Sequence, residues 1–88
     1  MTNNELLKKK IIYRSSHRGT KEMDLLLSNF VKKYLNTFND VQLKDLDKLL
    51  SIDDETIYSW HFKKIEYDKI PKNKVSDMLY KYSLNKDF

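Results

Sequence analysis

Apolar residues recur three or four positions apart through most of this chain, the spacing that gathers side chains onto one face of an α-helix. Met23, Leu26, Leu27, Phe30 and Tyr34 give the clearest stripe and predict a helix over about 20–35. Leu43, Leu46, Leu49 and Leu50 predict another, entered through Asn39 as a cap, with Gln42 three residues later where a capping-box partner belongs. Val75, Met78, Leu79 and Tyr82 mark a last helix over about 73–84. Two weaker segments complete the set. Leu7, Ile11 and Arg14 share a stripe, with Ile12 beside it, over about 4–17. A short segment holding Ile57, Tyr58, Trp60 and His61 starts at Asp53, whose carboxylate can accept from free amides, while Asp54 and Glu55 complement the helix dipole.

Breaks are few, since the chain has one glycine and one proline. Gly19 follows the first helix, where a left-handed residue would close it, and Pro71 lies in a loop with Glu66 and Asp68 before the last helix. The expected fold is therefore all-α, a compact bundle of four to five short helices, with residues 1–88 as a single domain and Trp60 as a core anchor. The other aromatic residues at helical spacing, Tyr13, Tyr34, Tyr58, Tyr80 and Tyr82, read as core or half-buried.

Composition narrows the chemistry. Without cysteine there are no disulfides and no thiolate metal sites. No apolar run approaches the roughly 20 residues of a membrane helix, and the opening residues lack a secretory layout. The expectation is a soluble, cytoplasmic monomer. His17 and His61 lack carboxylate partners at helical spacing, and no glycine-rich loop could cradle a pyrophosphate, so neither a metal site nor a dinucleotide fold is expected.

The net charge of +4 is unevenly spread: residues 1–21 carry Lys8, Lys9, Lys10, Arg14, Arg18 and Lys21 against Glu5. Residues 40–55 carry Asp40, Asp45, Asp47, Asp53, Asp54 and Glu55 against Lys44 and Lys48. Such polarity suits steering onto a partner, or is simply two solvated helix faces. A sequence pI near 9.2 keeps a small nucleic-acid binder as an alternative. No recognition-helix pattern supports it, however, and the acidic third helix would repel phosphate. A generic helical adaptor is the other alternative.

The run from Ile11 through Tyr13, Arg14, His17, Arg18, Gly19, Thr20, Lys21, Glu22, Met23 and Asp24 to Ser28 centres on an Arg-Gly-x-x-Glu motif at a helix junction. A second patch follows at Leu49-Leu50-Ser51-Ile52-Asp53-Asp54, with Trp60 beyond it. Together these resemble the succinate dehydrogenase assembly factor 2 family, called SdhE in bacteria, over about residues 11–84. The chain departs from the family pattern in its polar Thr20 and Lys21 and in His61 after Trp60. The resemblance implies a non-enzymatic, chaperone-like factor that binds the flavoprotein subunit of succinate dehydrogenase and promotes its covalent FAD attachment. It implies a flavin that belongs to the client and no cofactor of the factor's own, with the fumarate reductase flavoprotein as a second candidate client.

The docking residues so implied are Arg18, Gly19 and Glu22, extended by Tyr13, Arg14 and Asp24. Local chemistry offers a competing account of the motif: Gly19 permits the turn, and Glu22 bonds back to a free amide as a cap. In the combined reading Glu22 stiffens the turn, and Arg18 is held outward to pair with the client. Asp53 and Asp54 read first as helix-start residues.

Overall fold

In the computed structural model, which describes residues 2–83, five α-helices succeed one another: α1 (Asn3–Ser16), α2 (Lys21–Tyr34), α3 (Asp40–Leu50), α4 (Asp54–Phe62) and α5 (Lys74–Lys81). A single 3-10 turn, Leu35–Thr37, carries α2 toward α3. No strand occurs among the described residues, and the all-helical expectation holds. The described part of α5 is shorter than expected. It ends at Lys81 because Tyr82 turns to extended backbone and lays its ring edge-on to Phe30, 5.4 Å between centroids. Leu84, the expected end of that helix, lies outside the described residues.

The helix starts follow the sequence closely. Thr2, Thr20, Asn39, Asp53 and Asn73 each accept a hydrogen bond from an amide of the first turn, satisfying one of the donors that a helix leaves free. At Asn39 the bond is reciprocated by Gln42, the capping box anticipated from the sequence.

α2 and α3 furnish most of the core, with Met23, Leu26, Leu27, Phe30 and Val31 from one and Leu43, Leu46, Leu49 and Leu50 from the other. Ile11 of α1, Ile57 and Trp60 of α4, and Val75 and Leu79 of α5 close around them. Each set repeats at three or four positions, so the buried stripe of each helix is the one its sequence dictates. α1 packs on both α2 and α3, and α5 on α3 and α4. Of α1's stripe, Ile11 is fully buried and Leu7 partly so, while Ile12 stands half exposed at 49%.

The left-handed closure expected at Gly19 occurs elsewhere. Gly19 has no positive φ; the residue that does is Lys64, at φ 59°, just past α4. There the chain reverses, Ile65 N–H donating to Ser59 O at 3.2 Å, and Lys64 Nζ sits 4.0 Å from the centre of the Tyr80 ring.

His61, one turn before that reversal, is only 5% exposed. Burial, helped by the positive charge of Lys64 and opposed by the backbone of Leu79 and Tyr82, pushes its pKa down to about 4 from an ordinary 6.5. Between those values the unfolded chain takes up a proton that the folded chain refuses. Folding stability should therefore be at its full value above about pH 6.5 and fall as the pH drops toward about 4. Urea titrations across that range should show the loss, and His61→Phe should flatten it; an unchanged slope in the variant would assign the loss to other groups.

Candidate docking site

Two turns meet at the point where the motif lies: the α1–α2 turn, carrying Arg18 and Gly19, and the α3–α4 corner at Ser51–Asp53. Arg18 joins them. Its Nε donates to Asp54 Oδ1 at 2.7 Å, one terminal nitrogen to Leu50 O at 2.7 Å and Arg14 O at 3.3 Å, and the other to Ile52 O at 2.9 Å. Leu50 is the last residue of α3, so the guanidinium supplies a charged donor to a carbonyl left free by the helix end. A planar five-donor group meets this fan of acceptors; a lysine ammonium could not.

The expectation of an outward Arg18 is thus overturned. Its side chain is 9% exposed and is committed to acceptors within the molecule. Burying a cation is costly unless it is paired and fully bonded, and the α3–α4 corner provides that pairing.

Asp54, the first residue of α4, is the partner that local reading did not find. Besides Arg18 it accepts the Gly19 amide on Oδ2 at 2.5 Å. Asp24 braces the same turn from the other side, its Oδ1 accepting the Arg18 amide at 2.6 Å. A Cβ at position 19 would lie 3.0 Å from Asp54 Oδ2. That oxygen is fixed by the Gly19 amide and its twin by Arg18, so it has little room to withdraw. Glycine is favoured here by close approach rather than by left-handed backbone. Asp53 caps α4 as anticipated, and bonds from the Thr56 hydroxyl and amide hold its pKa at about 2.

The expected capping role of Glu22 is also corrected. Thr20 is the cap of α2, accepting from Met23 N–H at 3.2 Å, which accounts for a polar residue after the glycine. Glu22, in the first turn of α2, is exposed and has no hydrogen bond or ion pair among the described residues. It stands between two concavities, one formed with Gly19, Met23, Asp54 and Tyr58, the other with Leu25, His61 and Phe62. Leu25 and Phe62 are 45% and 44% exposed, an apolar flank beside a free carboxylate.

The remaining two candidates differ in fate. Tyr13 is 55% exposed, its ring 3.8 Å from that of His17 and so not in the core. Arg14 turns toward α3, with its guanidinium 3.4 Å from Asp47, which Lys10 also approaches at 3.2 Å. The structure therefore brings Arg18, Gly19 and Asp24 into one braced turn, leaves Glu22 and Tyr13 facing outward, and draws Arg14 into an ion pair.

Among the described residues no group of histidines and carboxylates could hold a metal ion, and no helix is long and apolar enough to cross a membrane. An all-helical core, a rigidly braced turn and an exposed acidic and apolar rim together define a small helical module.

The comparisons give that module its family. The model described as flavinator of succinate dehydrogenase matches residues 9–83, and the chain belongs to that family. Succinate dehydrogenase assembly factor 2, mitochondrial, of Scheffersomyces stipitis is 39% identical over 87 residues, covering 94% of this chain and 58% of the relative. Its counterpart in Saccharomyces cerevisiae is 39% identical over 92 residues, with coverages of 98% and 57%. The Danio rerio protein is 35% identical over 85 residues, with coverages of 94% and 54%. The chain thus spans little more than half the length of these curated relatives. No solved structure shows significant similarity.

The family is one of assembly factors rather than catalysts, in keeping with a non-enzyme. The cytoplasmic assignment is corrected by the same names, which are those of mitochondrial proteins. Compartment is not written in the side chains that build a helical core.

The braced turn makes a direct prediction. Arg18→Ala should lower folding stability by about 3 kcal/mol, as expected when one partner of a buried pair is removed, and Glu22→Ala by no more than about 0.5 kcal/mol. Urea unfolding midpoints of the two variants check this; equal midpoints would contradict the inward role of Arg18.

Proposed function

We propose that this protein serves succinate dehydrogenase assembly by docking on the flavoprotein subunit through the face around the α1–α2 turn, promoting covalent attachment of FAD. The single observation that carries the reading is Glu22: an unpaired, exposed carboxylate in the first turn of α2, directly after a turn tied down by Arg18, Asp24 and Asp54. Its backbone is held in place beforehand, so only the rotamer freedom of the side chain is lost when a partner engages it.

The client contributes a basic or hydrogen-bond-donating group to Glu22 and an apolar segment to Leu25 and Phe62. The factor contributes position: by stabilising one conformer of the client it holds the client's flavin and acceptor side chain together. The flavin belongs to the client, and the chain carries no cofactor. Bond formation is then the chemistry of flavin and client. The fumarate reductase flavoprotein is a second client of the same kind, and the factor acts as a monomer.

The nucleic-acid alternative is weakened, because Lys10 and Arg14 approach Asp47 and Arg18 is buried against Asp54, so three basic groups of residues 1–21 do not stand free for phosphate.

The test is flavinylation of apo-flavoprotein under limiting factor. Glu22→Ala should reduce the rate of covalent flavin incorporation about tenfold or more, the loss expected for one charge-assisted contact, while thermal unfolding stays within a few degrees of wild type. Flavinylation at the wild-type rate would refute the docking role of Glu22.

A further inference from the structure

We infer that Asp54 is a fourth, non-contiguous member of the Arg-Gly-x-x-Glu motif, a positioning residue through which Arg18 and Gly19 act and by which Glu22 is presented. The inference rests on the docking reading above and adds to it a division of labour: Arg18 and Gly19 face Asp54, and Glu22 alone of the motif faces the partner.

Three observations carry it. Both oxygens of Asp54 are spent on the motif, Oδ1 on Arg18 Nε at 2.7 Å and Oδ2 on the Gly19 amide at 2.5 Å. The nearest atom to a Cβ built at position 19 is Oδ2, at 3.0 Å, and the backbone there has no positive φ. An alanine would therefore meet the carboxylate and nothing in its own dihedral angles. Finally, Asp54 opens α4, whose Tyr58 lines the concavity on one side of Glu22. Fixing the start of α4 to the turn before α2 sets the distance between the two walls of that concavity. Charge-assisted bonds to a carboxylate at both a side chain and an amide make such a link stiff.

The geometry yields a specific pattern of coupling. If glycine is needed because of Asp54, removing the carboxylate removes the need. Gly19→Ala should lower stability in the wild-type background and have little further effect in Asp54→Ala. If glycine were needed only because the partner's backbone approaches it, Gly19→Ala would leave the stability of the free chain unchanged in either background.

The experiment is a pair of double-mutant cycles on the full chain. Urea unfolding of wild type, Gly19→Ala, Asp54→Ala and the double variant, with no partner present, reads the internal contact. The expected Gly19→Ala loss appears in wild type and vanishes in Asp54→Ala; the same loss in both backgrounds, or none in either, overturns the claim that Asp54 dictates glycine. Affinity for the succinate dehydrogenase apo-flavoprotein, measured for Glu22→Ala in both backgrounds, reads positioning apart from stability. Glu22→Ala should weaken binding about tenfold in wild type and by less than about threefold when Asp54 is alanine.

An equal Glu22 penalty in the two backgrounds would overturn the positioning role even if Asp54 stabilises the fold. No Glu22 penalty in either background would instead defeat the docking reading, while the stability cycle still judges the Asp54–Gly19 contact. Should Asp54→Ala fail to fold, Asp54→Ser, whose single short hydroxyl cannot reach both Arg18 and the space beside Gly19, carries both cycles.

Discussion

One buried guanidinium organises the turn that carries the Arg-Gly-x-x-Glu motif. Arg18 lies in the corner between α3 and α4 and gathers acceptors from three separate segments: the end of α1, the last carbonyl of α3 and the first carboxylate of α4. Removing a cation from water is unfavourable by several kcal/mol, and the loss is offset only where the acceptors are already in place. The α1–α2 turn and the α3–α4 corner are therefore held as one unit. Whatever stands on that turn, Glu22 foremost, inherits its rigidity.

The same economy governs charge over the rest of the molecule. The basic first segment and the acidic middle segment look like opposite poles when read along the chain. In the fold they are partly neighbours: Lys10 and Arg14 of α1 lie against Asp47 of α3, and Asn4 donates to Asp40 at 2.6 Å. Exposed pairs of this kind add little stability individually. Their effect is to lower the field that α1 would otherwise present.

What the sequence disclosed and what it withheld divide along a physical line. Helices α2 and α3, the Asn39–Gln42 box and the Asp53 cap were legible because each depends on residues within one or two turns of one another. The direction of Arg18 was not, since its main partner lies 36 residues away and no periodicity connects them. Gly19 was read for its dihedral angle, whereas the structure sets a carboxylate from another helix against it. Glu22 was credited with a cap that Thr20 provides, because both residue types cap helices and only the helix start decides between them. The Arg-Gly-x-x-Glu resemblance drew attention to this turn, and the fold assigned inward and outward directions to the side chains within it.

The most direct test of the inward arginine is the exchange of its Nε proton with water, followed by nuclear magnetic resonance on the folded chain near neutral pH. A guanidinium held by Asp54 and the carbonyls of Leu50 and Ile52 predicts a sharp, slowly exchanging Arg18 Nε–H signal that Asp54→Asn weakens. An Arg18 signal that exchanges as fast as those of the solvent-exposed lysine and arginine side chains would contradict the account.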